Sequence, residues 1–196
     1  MPIPRQSDHG ILPIFTDRWS PRAFDGTTIT QAELMPLFEA ARWAPSAFNA
    51  QPWRFVYALR GTPAFDHFLA ALIPFNRGWA ASASALIFVF SDCFSRNADG
   101  SPKQRSHSHS FDAGAAWAQF ALQATSHGLH VHGMSGFDEA AAREAAGAPE
   151  SFRVEAAVAV GRIGDPATLP ESLQTREHPS DRMALSQLVF QGRFPA

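Results

Sequence analysis

"WAPSAFNAQPWRF", running from Trp43 to Phe55, joins two more regular segments. It places two prolines, two tryptophans, an asparagine and a glutamine in a connection, where small polar residues are the usual choice. Pro45 and Pro52 stiffen it. Asn49 and Gln51 each carry donors and an acceptor, which suits a flat ring with a mixed hydrogen-bonding edge. The plainer alternative is an ordinary helix-to-strand turn whose tryptophans, Trp43 and Trp53, plug the core.

Upstream, Thr30 and Glu33 have the spacing of a capping box, and Leu34, Leu37, Phe38 and Ala41 follow at helical intervals. Pro36 interrupts them, so the helix either starts near Pro36 or bends there. Downstream, Arg54–Leu59 reads as a strand. A second helix follows, with Thr62 as cap, Pro63 in its first turn and Phe65, Phe68, Leu69 and Leu72 on one face. Ala85–Phe90 is an unbroken apolar run, as in a strand covered on both sides. Ser95–Ser110 is polar and reads as a mobile loop. Phe111–Gly128 reads as a long helix, alanine-rich nearly all round, which predicts burial on most sides. Leu129–Met134 and Arg153–Gly161 read as strands, and Asp138 caps a short helix ending at Gly147. From Asp165 onward periodicity fades. Leu169, Leu173, Leu185, Leu188, Val189, Phe190 and Phe194 remain as apolar anchors of a tail that wraps over something. The pattern predicts a single α+β domain, residues 1–196, with a central sheet flanked by helices.

The totals narrow the function. The chain has 196 residues, enough for one substantial core. Seventeen Phe against one Tyr imply a large core, a large interface, or both. A net charge of −2 gives no footprint for nucleic acid or an anionic membrane. No apolar run is long enough to span a bilayer, and the first ten residues hold no apolar leader segment. Cys93 is the only cysteine, which excludes intrachain disulfides and thiolate-rich zinc sites. A cytoplasmic protein is the expectation.

Arg18, Ser20 and Arg22 alternate in "DRWSPRAFD". On an extended backbone they share one side, and two guanidinium forks with a hydroxyl suit a phosphate. A solvated face with surface ion pairs is the alternative. In "MSGFD", Gly136 lets backbone approach a ligand just ahead of a helix N-terminus. His107, His109, His127, His130 and His132 lack the acidic or thiol partners of a metal site, and read better as solvated or hydrogen-bonded side chains. No Ser-His-Asp elbow, Walker loop or dinucleotide fingerprint is present.

The order of these motifs carries more than any one of them. "RWSPRAFD", a capped helix, "EAARWAPSAFNAQPWRF", "FNRGW" before a buried strand, "DAGAAWAQFALQATSHGL" and "MSGFD" together resemble the nitroreductase family of flavin enzymes, over nearly the whole chain. The resemblance implies a central, mainly antiparallel sheet flanked by helices. It also implies an intertwined homodimer with an exchanged C-terminal arm and two FMN molecules at the interface. NADH or NADPH would reduce the flavin and a small electrophilic acceptor would reoxidise it. By position, Arg18, Trp19, Ser20 and Arg22 resemble the phosphate-binding segment. Pro45, Ser46, Ala47 and Asn49 resemble the loop that reaches the flavin of the second subunit. Asn76, Trp79, Ser135, Gly136 and Phe137 resemble positions around the ring, and Arg182 a C-terminal arginine on the phosphate. Ser135 stands where relatives often carry Gly, Ala or Glu, and "RMAL" replaces the more usual R-x-P-L. No side chain is singled out as catalytic. Two other readings stay open: a flavin enzyme of this fold that does not use nicotinamide, and a non-enzymatic flavin- or metal-binding dimer.

Overall fold

The computed structural model describes residues 5–195. Met1–Pro4, the start of the stretch read above as lacking a leader, and Ala196, the end of the tail, lie outside them. A short helix, α1 (Ile14–Asp17), precedes α2 (Gln31–Arg42), β1 (Trp53–Leu59), α3 (Pro63–Ala71) and α4 (Pro74–Ala80). Then come β2 (Ala85–Asp92), β3 (Phe94–Arg96), β4 (Pro102–Arg105), α5 (His109–Ser126), β5 (His130–Met134), α6 (Glu139–Ala146), β6 (Phe152–Gly161) and α7 (Glu171–Gln174).

Four strands form an antiparallel sheet in the order β1-β2-β6-β5. Every residue of β2 is buried, so its alternate side chains feed two cores. Leu86, Phe88 and Phe90 join Phe65 and Phe68 of α3 and Trp79 of α4 on one face. Ile87 and Val89 join Leu34, Leu37 and Ala41 of α2 and Phe120 of α5 on the other.

α2 begins at the expected box. Glu33 N–H donates to Thr30 Oγ1 (3.2 Å), and Thr30 N–H donates back to Glu33 Oε2 (2.8 Å). The helix runs through Pro36 rather than starting there. Arg162, just past β6, donates to Glu33 Oε1 at 2.8 Å and ties the helix to the sheet. The Thr30 backbone bond first, then Arg162, holds the Glu33 carboxyl down at about 2 from an ordinary 4.5. A lowered carboxyl pKa stabilises the fold above the unfolded value, and that gain is lost as pH falls through the folded one. Glu33→Gln should therefore lower Tm at pH 7. In thermal melts by circular dichroism, its gap to wild type should close between about pH 4.5 and pH 2.

Two expectations need correction, and the burial expected of α5 and of the tail is met only in part within one chain. The polar stretch after β2 is not a loose loop, because β3 and β4 pair as a hairpin. Arg96 grips Asp92 with two bonds (2.6 and 2.9 Å), and Gly100, at φ +83°, permits the turn. Trp53 is a core residue but Trp43 is not. Trp43 is 71% exposed, and its indole N–H donates outward to Glu39. Within the chain α5 buries a single face (Asp112, Ala113, Ala116, Phe120, Ala121, Ala124), and leaves Phe111 and Ala118 exposed. In the tail, Leu169 and Leu173 are buried anchors, whereas Leu185, Leu188, Val189, Phe190 and Phe194 are exposed.

Candidate functional site

The chain leaves α1 extended, with Arg18 at φ −64° and ψ 121°. It then runs along the β5 edge of the sheet, where His132 Nδ1 donates to Pro21 O at 2.9 Å. Beyond that, Asp25 N–H bonds to Arg162 O (3.0 Å) and Gly164 N–H to Ala23 O (2.8 Å). A Cβ on Gly164 would meet the Phe24 backbone at 2.6 Å, so only glycine allows this approach.

Arg18, Trp19, Ser20 and Arg22 line one cavity of about 420 Å³. Arg182, 160 or more positions later in sequence, lines it too, together with Arg5, Arg176, His178, Ser180 and His132. Five arginines thus wall a single space. Burial first, then the charges of Arg182 and Arg5, press the Arg18 pKa below the usual arginine value. Guanidinium groups crowded this way repel one another, and an anion between them removes that cost. Of these arginines only Arg22 forms an ion pair among the described residues, with Glu177 Oε2 at 3.7 Å, while the charge of Asp181 acts on Arg5 from farther off. Arg18 Nη1 also donates to Ser20 Oγ (3.4 Å) and so turns the hydroxyl.

None of the ring positions lines this cavity; Trp79 is linked to it through His132, which does. His132 packs against Trp79 with ring centroids 4.7 Å apart. Asn76 lies one turn before Trp79 on α4, on the same helix side. Both are buried, and Trp79 Nε1 is a buried donor without a partner among the described residues. Asn76 Nδ2 donates to Gly136 O (2.9 Å), as does Ile73 N–H (3.1 Å). Phe137 packs edge-on against Phe88 and anchors the turn, while Ser135 is exposed. A Cβ at position 136 would meet Asn76 Nδ2 and Ile73 Cδ1, each at 2.6 Å. Gly136→Ala should displace the Asn76 amide and cost on the order of 1 kcal/mol, since both obstacles are side-chain ends. A small fall in the denaturant midpoint with unchanged m-value would register it.

The loop Pro45–Asn49 does not join this cavity within the chain. It sits over the N-terminal end of α5, where Ala47 N–H donates to the buried Asp112 carboxylate at 3.2 Å. Phe48, Asn49 and Gln51 all have positive φ (52°, 54° and 47°), a left-handed conformation uncommon outside glycine. Ser46 Oγ accepts from Gln51 N–H (3.0 Å) and locks the turn. Pro45 and Asn49 are exposed, and Phe48 stands fully in solvent. Strain of this kind is kept where a loop has a task beyond connecting two elements.

Sequence reasoning missed Arg5, His132, Arg176, His178 and Glu177. His132 was legible only as one strand-face histidine. The others lie in irregular segments without a periodic signal.

Residues 15–73 and 60–162 match the description "Nitroreductase family". The chain belongs to the nitroreductase family. Among solved family structures, an oxidoreductase containing FMN is 46% identical, with a TM-score of 0.94 over 97% of this chain and 96% of that one. A Streptomyces coelicolor protein provisionally named NADH dehydrogenase/NAD(P)H nitroreductase is 29% identical over 86% of this chain and 89% of its own length. A Desulfovibrio desulfuricans protein, provisionally called a nitroreductase and solved with FMN, shares the fold at TM-score 0.74 and 23% identity, over 96% of this chain and all of that one. The α+β fold with its central antiparallel sheet is thus the nitroreductase fold.

Proposed function

We propose that this nitroreductase-family protein is an FMN-dependent oxidoreductase. It uses NADH or NADPH to reduce small electrophiles such as nitroaromatics, quinones or enones, and it works as an intertwined homodimer. One observation carries the reading: a cavity walled by five arginines, with Trp79 packed against its His132, in a chain 46% identical to an FMN-containing oxidoreductase.

The residues fit the cofactor. A phosphate matches a guanidinium cluster in which Arg18, Arg176 and Arg182 form no ion pair among the described residues, and the unpartnered Trp79 Nε1 and the tight Gly136 turn fit a polar, planar group. FMN, when bound, would supply the hydride acceptor and then the donor, with nicotinamide and acceptor meeting it in turn on its open face. The chain's own work is positioning. Arg18 and Arg182 grip the phosphate, helped by Ser20 and the Trp19 backbone. Arg22 contributes half-neutralised by Glu177. Asn76 holds the Gly136 carbonyl, and the N–H groups of Ser135 and Gly136 would stabilise negative charge on a ring bound beside them. Phe137 holds that turn against the core.

The loop Pro45-Ser46-Ala47-Asn49 completes the cavity of the partner subunit. The exposed Phe48 and the locked left-handed turn support this role. The open face of α5 and the exposed apolar tail supply the dimer surface, the tail as an exchanged arm. No helix among the described residues is long and apolar enough to cross a membrane. The cytoplasm, which supplies the nicotinamide, is the compartment this reading fits.

The test is an anaerobic titration of the purified yellow protein with NADH and with NADPH, followed by a screen of acceptors. Bleaching of the flavin and its recovery by acceptor is the expected result. A protein that binds no FMN would overturn the proposal. One that binds FMN but is not bleached by either nicotinamide would leave only the cofactor part standing.

A further inference from the structure

Glu177 sits where a carboxylate is least expected. Its side chain is 1% exposed, directly behind a wall of arginines, and it does not itself line the cavity. Its Oε1 accepts from Arg22 N–H (2.5 Å) and Ala23 N–H (2.8 Å), 155 and 154 positions away in sequence. Its Oε2 has no hydrogen-bond partner among the described residues and lies 3.7 Å from the Arg22 guanidinium. Burying a carboxylate is costly unless it is paired, so these contacts constitute a specific joint rather than a chance one.

The joint links the two halves of the cavity. Of its ten lining residues, four come from Arg18–Arg22 and four from Arg176–Arg182. Glu177 lies between Arg176 and His178, and its grip on Arg22 and Ala23 brings both segments to one space. Arg5 adds a second tie, donating to Ser180 O (2.9 Å), Arg18 O (2.7 Å) and Thr16 O (3.2 Å). Against these ties stands the mutual repulsion of Arg5, Arg18 and Arg182.

We propose that Glu177 is a positioning residue that staples the C-terminal segment Arg176–Arg182 onto the N-terminal segment Arg18–Arg22, so that docking of that segment and binding of a phosphate-bearing ligand are thermodynamically coupled. The ligand neutralises the repulsion that opposes docking, and docking delivers Arg176 and Arg182 to the ligand. Such coupling is reciprocal: whatever factor docking adds to affinity, the ligand adds to docking. The proposal rests on the anion-binding part of the proposed function and not on its redox part.

The experiment is limited trypsin digestion, with cleavage after Arg176 and Arg182 followed by mass spectrometry, in the full chain with and without saturating FMN. FMN should slow these cuts in wild type by about tenfold or more. Glu177→Ala should be cut rapidly in both states and bind FMN about tenfold more weakly. Glu177→Gln, which keeps one oxygen for the two amides but loses the charge, should fall between. A merely structural role would lower Tm and leave the protection by FMN intact. The proposal is overturned if FMN protects Glu177→Ala as it protects wild type, or if both variants bind FMN with wild-type affinity. Should wild type bind no FMN, the flavin reading fails separately, and the same digestion with inorganic phosphate decides the coupling by the same two outcomes.

Discussion

Arg18→Ala is expected to weaken FMN binding by about tenfold to a hundredfold while leaving the FMN-free protein as stable as before, or slightly more so. Charge-assisted bonds to phosphate contribute roughly 1.5–3 kcal/mol each, which sets the loss. The stability half of the expectation follows from the surroundings of Arg18. It is part-buried, and its charge is opposed by Arg182 and Arg5 before any anion arrives. Removing it relieves that repulsion, which offsets the packing lost with the side chain in the free protein. Fluorescence titration of FMN, paired with thermal melts of the free protein, measures both. Arg42→Ala is the control, because Arg42 sits exposed on α2 and pairs with Glu39. Binding should also weaken with added salt, since an exposed cavity is screened. FMN affinity unchanged by Arg18→Ala would remove the phosphate from this cavity.

How far the sequence discloses the molecule depends on the range of the interaction. The α2 capping box and the Pro63 helix start were legible because the partners lie within a few residues of each other. The buried strand at Ala85–Phe90 was legible because a run with no polar position can face no water. The β3–β4 hairpin was not. It buries little, and rests on a specific grip of Arg96 on Asp92 that polarity alone does not reveal. α1 and α4 are four and seven residues long and lack a capping side chain, so neither leaves a period to read. Trp43 announces bulk but not direction, and its bond to Glu39 turns it outward. Half of the cavity was legible as Arg18, Ser20 and Arg22, whose alternation is local. The other half comes from an irregular tail in which only Arg182 was picked out, by resemblance, and Glu177, which joins the two, carries no signal until the ends are seen together.

The separation of the loop Pro45–Asn49 from the basic cavity is what gives Asn49 its strongest test. In one chain the loop rests on Asp112 at the start of α5, while Arg18 lies along the β5 edge. In the proposed homodimer the two would serve one flavin from different subunits. Asn49→Leu removes an amide that would bond the ring edge, and leaves a ring polar group unpaired at a cost of roughly 1–3 kcal/mol. The fold should survive, because Trp53 and Pro52 stay buried and Asn49 is exposed in the chain. Each homodimer, Asn49→Leu or Arg18→Ala, then carries one lesion in both of its sites and should be impaired. A heterodimer of the two chains carries both lesions in one site and none in the other, so it should recover about half of the wild-type NAD(P)H-dependent turnover. If Asn49 and Arg18 of the same chain serve the same site, every site in the heterodimer has one lesion and mixing restores nothing. Co-expression of the two chains with different affinity tags, followed by tandem purification, isolates the heterodimer, and its turnover relative to the two homodimers gives the answer.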